Sequence, residues 1–171
     1  MKRNKLSVGV WTYGMCSERY VSNGYKPFLN FEERIKNIKE LRENCGIELN
    51  YPNDLNEENY KERLEKIKEA GLRISVINVE LVCETQWKYG SFSSFDSEMR
   101  ELAISRTKKA MDIAAACGCD TINLWLGLDG FDYVLEADYM KDWTNMVSGI
   151  RECAQYRTDI RLAVEYKLSE P

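Results

Sequence analysis

Two periodicities alternate along this chain. Apolar or every-second-residue runs at 5–13, 47–51, 72–79, 121–125 and 161–164 are separated by four longer stretches whose apolar residues recur at steps of three and four. The first pattern belongs to strands and the second to helices with one buried face. An order β-α-β-α-β-α-β-α-β without a hairpin signal requires parallel strands joined by helical crossovers. Such a chain can form an open doubly wound sheet or a (β/α) barrel. Neither G-x-G-x-x-G nor G-x-x-x-x-G-K-[ST] occurs, so the nucleotide-binding doubly wound folds lack their fingerprint. Long aromatic loops after the strands favour the barrel. A complete barrel takes eight strands and about 250 residues, whereas these 171 residues supply five. The expectation is one domain over 1–171, a parallel (β/α) barrel truncated after its fifth strand.

Local signals punctuate this order. Asn30, with Glu33 three residues on, forms a capping box ahead of a stripe of Phe31, Ile35, Ile38, Leu41 and Cys45, and Gly46 is expected to end that helix. Asn56 is expected to cap the second helix, with Leu55 and Tyr60 as a hydrophobic staple and Gly71 at its end. Asp96 caps the third, which buries Met99, Leu102, Ala103, Ala110, Ile113, Ala114 and Cys117 and closes at Gly118. The fourth helix, 139–156, is expected to turn Met140, Trp143, Val147, Ile150 and Ala154 inward. Between the third strand and third helix lies a long segment, 80–95, carrying Trp87, Tyr89, Phe92 and Phe95. Loops of this length are functional or disordered, and one so aromatic suits a lid or pocket wall.

Composition narrows the chemistry. With 24 basic and 28 acidic residues, the net charge is −4 and no basic tract appears, which argues against nucleic acid or anionic membrane as a partner. No apolar run is long enough to span a bilayer, and the basic start leads into a strand pattern rather than a signal sequence, so a cytoplasmic protein is expected. The cysteines at 16, 45, 83, 117, 119 and 153 contain no C-x-x-C pair and read as reduced packing residues. The chain holds no histidine. Within it a Ser-His triad, a His general base and a His-ligated metal are excluded, and chemistry falls to carboxylates, Lys, Tyr or Cys.

The last strand offers such groups. Glu165 and Lys167 stand two apart, so on an extended strand they share a side opposite Tyr166. Strand C-termini are where α/β proteins keep their ligand chemistry, although a surface ion pair gives the same pattern. Tyr51 and Asp54 follow the second strand, and Pro52-Asn53-Asp54 is also a good turn. Trp11, Trp87 and Trp125 fall at strand ends or in loops, where an aromatic side chain either joins the core or lines a pocket. Glu80 follows the third strand as a further carboxylate without an evident partner.

Four segments in order carry a resemblance. They are Gly9-Val-Trp-Thr-Tyr-Gly14, Trp87-Lys-Tyr-Gly-Ser-Phe-Ser-Ser94, Thr121-Ile-Asn-Leu-Trp-Leu-Gly-Leu-Asp-Gly130 and Val164-Glu-Tyr-Lys-Leu-Ser-Glu-Pro171. Together they resemble the xylose-isomerase-like TIM barrels, a superfamily that also holds keto-sugar epimerases and endonuclease IV. The resemblance implies that Trp11, Trp87 and Trp125 line a sugar site, that Glu165 is a metal ligand and that Lys167 contacts substrate oxygen. It further implies a divalent metal, Mn²⁺ or Mg²⁺, with its remaining ligands on later strands. The activity implied is isomerisation or epimerisation of a carbohydrate by proton abstraction or hydride shift. A related branch cleaves C-glycosides, and a non-catalytic partial barrel that binds carbohydrate or a partner is the rival reading. In xylose isomerase proper a His precedes an Asp by three residues after the second strand. Here Leu49-Asn-Tyr-Pro-Asn-Asp54 keeps Asp54 but puts Tyr51 at the histidine position, and a tyrosine is a poor base at neutral pH. Leu128 and Asp129 also stand where the family often has a glycine and an arginine. A small carbohydrate is the expected ligand, and pairing with a further barrel segment or a second copy the expected assembly.

Overall fold

Every neighbouring strand pair in the sheet is parallel, and spatial order equals chain order. The computed structural model describes residues 6–15, 21, 23–41, 46–130, 135 and 137–166. Its strands are β1 (Ser7–Gly9), β2 (Gly46–Tyr51), β3 (Arg73–Val79), β4 (Thr121–Trp125) and β5 (Arg161–Glu165). Between them run α1 (Phe31–Leu41), α2 (Tyr60–Glu69), α3 (Ser97–Ala116) and α4 (Tyr139–Tyr156). Because each strand alternates its side chains, the register divides the sheet into two faces. Ile47, Leu49, Tyr51, Ile77, Val79, Ile122 and Leu124 are buried in one core with Ile38, Ile67, Ala110 and Met111 from the helices. The other face carries Glu48, Asn50, Asn78, Asn123, Trp125 and Glu165.

The first strand is shorter than its pattern predicts. After Gly9 the chain turns into a 3-10 helix, Val10–Tyr13, which buries Val10 and leaves Trp11 exposed. An added Cβ on Gly9 would lie 2.3 Å from the Trp11 indole, so the ring folds back over that glycine. Gly46 likewise does not end α1. It opens β2, donating its N–H to the Leu6 carbonyl at 2.8 Å and pairing with Ser7. A Cβ there would meet Ser75 at 3.0 Å and Ser7 Oγ at 3.2 Å, so three strands approach closely at this glycine and a larger residue would push the serines back.

The helix starts follow local chemistry. The capping box is formed: Glu33 N–H donates to Asn30 Oδ1 at 3.0 Å and Asn30 N–H donates to Glu33 Oε2 at 2.8 Å. Asp96 Oδ1 accepts from Glu98 N–H at 2.9 Å, capping α3 as its sequence indicates. Asn56 instead caps a turn, accepting from the N–H groups of Glu58 and Asn59, and α2 begins four residues later. Leu55 is fully buried in the core, and Tyr60 is partly buried against it. On α3 the buried set includes Thr107 and Met111, while Leu102 is largely exposed.

Helix α4 buries only part of the expected face: Ile150 packs on the core and Val147 is half-buried, as expected, but the rest of that stripe is not covered. Gly149 and Cys153 are buried and Met146 and Ile150 pack against the core, whereas Met140, Trp143 and Ala154 are exposed. The cause is Phe92, whose ring would lie 2.7 Å from a Cβ on Gly149. The helix approaches through its smallest residue, and the large apolar side chains on its other flank stay uncovered.

Among the described residues β1 and β5 each pair on one side only, and Val164 of β5 is half exposed. Open edges with apolar surface recruit further strands. Residues 1–171 in isolation are therefore expected to self-associate, which light scattering after size exclusion would register as a mass above that of one chain. A monodisperse monomer with one cooperative melt would refute this.

Candidate functional site

Asparagine is a poor strand former, yet β2, β3 and β4 each place one on the face turned away from the helices. Asn50 pairs in register with Asn78, and Asn78 with Asn123. The Asn123 amide donates both its hydrogens, to Asn78 Oδ1 at 2.9 Å and to Glu165 Oε2 at 2.9 Å. Glu165 is thus held on β5 beside Trp125, its register partner on β4. The Trp125 ring extends beyond its strand towards Gly127, where a Cβ would approach within 3.2 Å. With Trp11 folded over Gly9, this face combines two indoles, three amides and two carboxylates, Glu48 and Glu165.

The loop after β3 is ordered by the loop after β4. Asp129 Oδ1 accepts from Ser91 N–H (2.9 Å), Ser93 N–H (2.7 Å) and Ser93 Oγ (2.8 Å), and its Oδ2 accepts from Ser91 Oγ (2.5 Å). Ser91, Ser93 and Ser94 are buried. Gly90 enters this turn at φ +85°, where an L side chain is strained. On the other flank Arg106 pairs with Glu84 through both terminal nitrogens, at 2.7 and 3.0 Å, and donates to the Glu80 carbonyl. The Arg106 hydrogen bonds hold the Glu84 carboxyl below its ordinary range. The guanidinium also covers the Trp87 ring at 5.0 Å.

These contacts relocate several expected site residues. Trp87 is fully buried beneath Arg106, with its Nε1 lacking a hydrogen-bond partner among the described residues. Its indole is core rather than open wall. Tyr51 lies on the helix-facing side of β2 and donates its hydroxyl to Glu57 at 2.9 Å. Burial first, then that acidic neighbour, drives its pKa upwards, further from use as a base. Asp54 is buried and accepts from Asn50 N–H at 2.9 Å, and burial raises its pKa despite that bond. Tyr51 and Asp54 therefore serve the β2–α2 connection, the turn alternative for this pair. Glu80 turns back on its own loop, accepting from Val82 and Cys83 N–H at 2.8 Å each. Lys167 lies outside the described residues.

Among the described residues no three acidic, Cys or His side chains converge as a metal cage. Cys117 and Cys119 are free, and burial raises the pKa of both thiols. No described helix is long and apolar enough to cross a membrane. A groove on the outer surface between α3 and α4 involves Lys108, Asp112, Glu152 and Tyr156. Within it Lys108 is paired with Glu152 and Tyr156 with Asp112, and the strand-end face remains the candidate.

The family model described as xylose isomerase-like TIM barrel matches residues 28–167. The chain belongs to that family. A xylose isomerase from Thermus thermophilus is 27% identical over 109 residues, 61% of this chain and 28% of that protein. D-psicose 3-epimerase from Clostridium cellulolyticum H10 superposes with a TM-score of 0.65 at 16% identity, covering 93% of this chain and 51% of the other. An AP endonuclease, family 2, from Brucella melitensis gives 0.65 at 15% identity, covering 95% and 55%. The chain thus spans about half the length of these structures and less of the xylose isomerase. As a member of the xylose isomerase-like family it shares a barrel fold with sugar isomerases, sugar epimerases and an endonuclease-like relative.

Within that family frame, sequence reasoning located Glu165, Trp11 and Trp125 on or beside one face. It missed Asn78, Asn123 and Asp129. For Asn78 and Asn123 the available signal was an amide at the alternate position of β2, β3 and β4 that faces away from the helices.

Proposed function

We propose that the chain forms five strands, with the four helices between them, of a metal-dependent sugar isomerase or epimerase acting on a small carbohydrate. The observation that carries this reading is Glu165, held by Asn123 on the face it shares with Trp125. One carboxylate oxygen is engaged by the amide, which leaves the other for a cation, as a single ligand of a larger set requires. When bound, a divalent metal such as Mn²⁺ or Mg²⁺ supplies a Lewis acid for a neighbouring carbonyl and hydroxyl. Trp11 and Trp125 offer apolar faces to sugar C–H groups and limit water access. Lys167 serves as the cationic donor to substrate oxygen, as the family resemblance assigns it. A mildly acidic chain without a basic tract favours a neutral sugar over the nucleic acid that the endonuclease-like relative's name implies.

The test is turnover of ketoses, aldoses and C-glycosides by the complete protein, with calorimetric Mn²⁺ titration of wild type, Glu165→Gln and Lys167→Met. Glu165→Gln is expected to weaken Mn²⁺ binding steeply. Lys167→Met is expected to bind Mn²⁺ normally while kcat falls. Unchanged Mn²⁺ affinity in Glu165→Gln defeats the metal assignment. Turnover confined to C-glycosides moves the protein to the glycoside-cleaving branch.

A further inference from the structure

The geometry points to Asn123 as a positioning residue that orients Glu165 for metal binding, with Asn78 fixing Asn123 in turn. This inference rests on the proposed role of Glu165. Its basis is the direction of each hydrogen bond across β3, β4 and β5. An asparagine amide has two donor hydrogens on one end and only an acceptor on the other. Both Asn123 hydrogens are used, one by Asn78 Oδ1 and one by Glu165 Oε2. A flipped Asn123 would set its oxygen against both acceptors. The Asn78 oxygen therefore holds Asn123 in the one orientation that offers Glu165 a donor.

Asn78 itself is uneconomical as a packing residue. Its Nδ2 is buried without a hydrogen-bond partner among the described residues, and a buried donor left unpaired is destabilising. An apolar residue there would avoid the cost, as Val76 does two positions earlier on the same face. What an apolar residue cannot supply is the acceptor that steers Asn123. The side chain at the head of the relay thus keeps a buried amide hydrogen-bond donor unpartnered among the described residues. A carboxylate held by an amide on one oxygen presents the other in a fixed direction, and such outer partners are worth roughly 10–100-fold in metal affinity.

The experiment is Mn²⁺ titration by calorimetry of the complete protein carrying Asn123→Leu or Asn78→Leu, each alone and combined with Glu165→Gln. Asn123→Leu is expected to weaken Mn²⁺ binding about 10–100-fold, and Asn78→Leu to weaken it less, because Asn123 remains present but unsteered. Neither should weaken binding further once Glu165 is glutamine. Additive losses in the double variants, or Asn123→Leu with wild-type affinity while Glu165→Gln is impaired, would overturn the relay and leave the metal assignment standing. If Glu165→Gln itself binds Mn²⁺ normally, the relay and the metal assignment fall together. Should Asn123→Leu not fold, Asn78→Leu with its double variant decides the question, since it removes a donor that has no partner.

Discussion

Asp129→Ala is expected to destabilise the protein by about 3–4 kcal/mol and to release the segment between Gly90 and Asp96. The carboxylate accepts four hydrogen bonds from Ser91 and Ser93, and both serines are buried. Hydrogen bonds to a charged group contribute about 1.5–3 kcal/mol each, and a buried donor left unpaired costs about 1–3 kcal/mol. The four bonds form one unit, so their energies do not add, and the total stays near the upper end of single-residue effects. Asp129→Asn keeps the shape and one acceptor but turns an NH₂ towards donor groups, which places it between wild type and alanine. Urea denaturation measures the stability, and amide exchange at Ser91 and Ser93 reports the release. Full amide protection in Asp129→Ala would show that the turn orders itself through Gly90 and Phe92 alone. The clamp ties the loop after β3 to the loop after β4 through one side chain.

The fold was legible because its signals are local and repeated. Four helical stripes and five apolar runs specify the parallel order without long-range information, and caps such as Asn30 with Glu33 act within one turn. Where the reading failed, a contact distant in sequence had intervened. Alternation continues through Val10 and Trp11, but the indole closes over Gly9 and the backbone turns there. Met140 and Trp143 of α4 stay uncovered because Phe92, more than fifty residues earlier, selects Gly149 for the contact. Periodicity weighs residues by hydrophobicity, whereas close packing weighs them by size.

The site was legible in part for the same reason. Glu165 and Trp125 follow from strand alternation alone. The amide relay does not, since it depends on the register of β3, β4 and β5 and on which end of each amide faces its neighbour. Tyr51 and Asp54 looked chemical because their spacing matches a catalytic pair of the family. The structure spends both on a turn, one through Glu57 and the other through Asn50.

Trp87 and Trp11 divide the tryptophans most sharply, and Trp87→Ala is expected to cost about 3–5 kcal/mol, the range for emptying a large aromatic site in a core. Trp87 is fully buried, lies under Arg106 at 5.0 Å and belongs to the main core cluster. Alanine would leave a cavity below the Arg106–Glu84 pair and loosen the loop from beneath. Trp87→Phe should cost much less, about 1–2 kcal/mol, because the indole Nε1 has no described partner to lose and phenylalanine retains most of the apolar volume. Trp11→Ala is expected to behave oppositely. The residue is 45% exposed, so stability should shift by no more than about 1 kcal/mol, while sugar affinity falls through the lost stacking face. Thermal and urea unfolding give the stabilities, and titration of the complete protein with a turned-over sugar gives the affinities. A Trp87→Ala variant of wild-type stability with impaired sugar binding would return Trp87 to the pocket wall. It would also mean that the loop opens in solution far enough to expose its innermost residue.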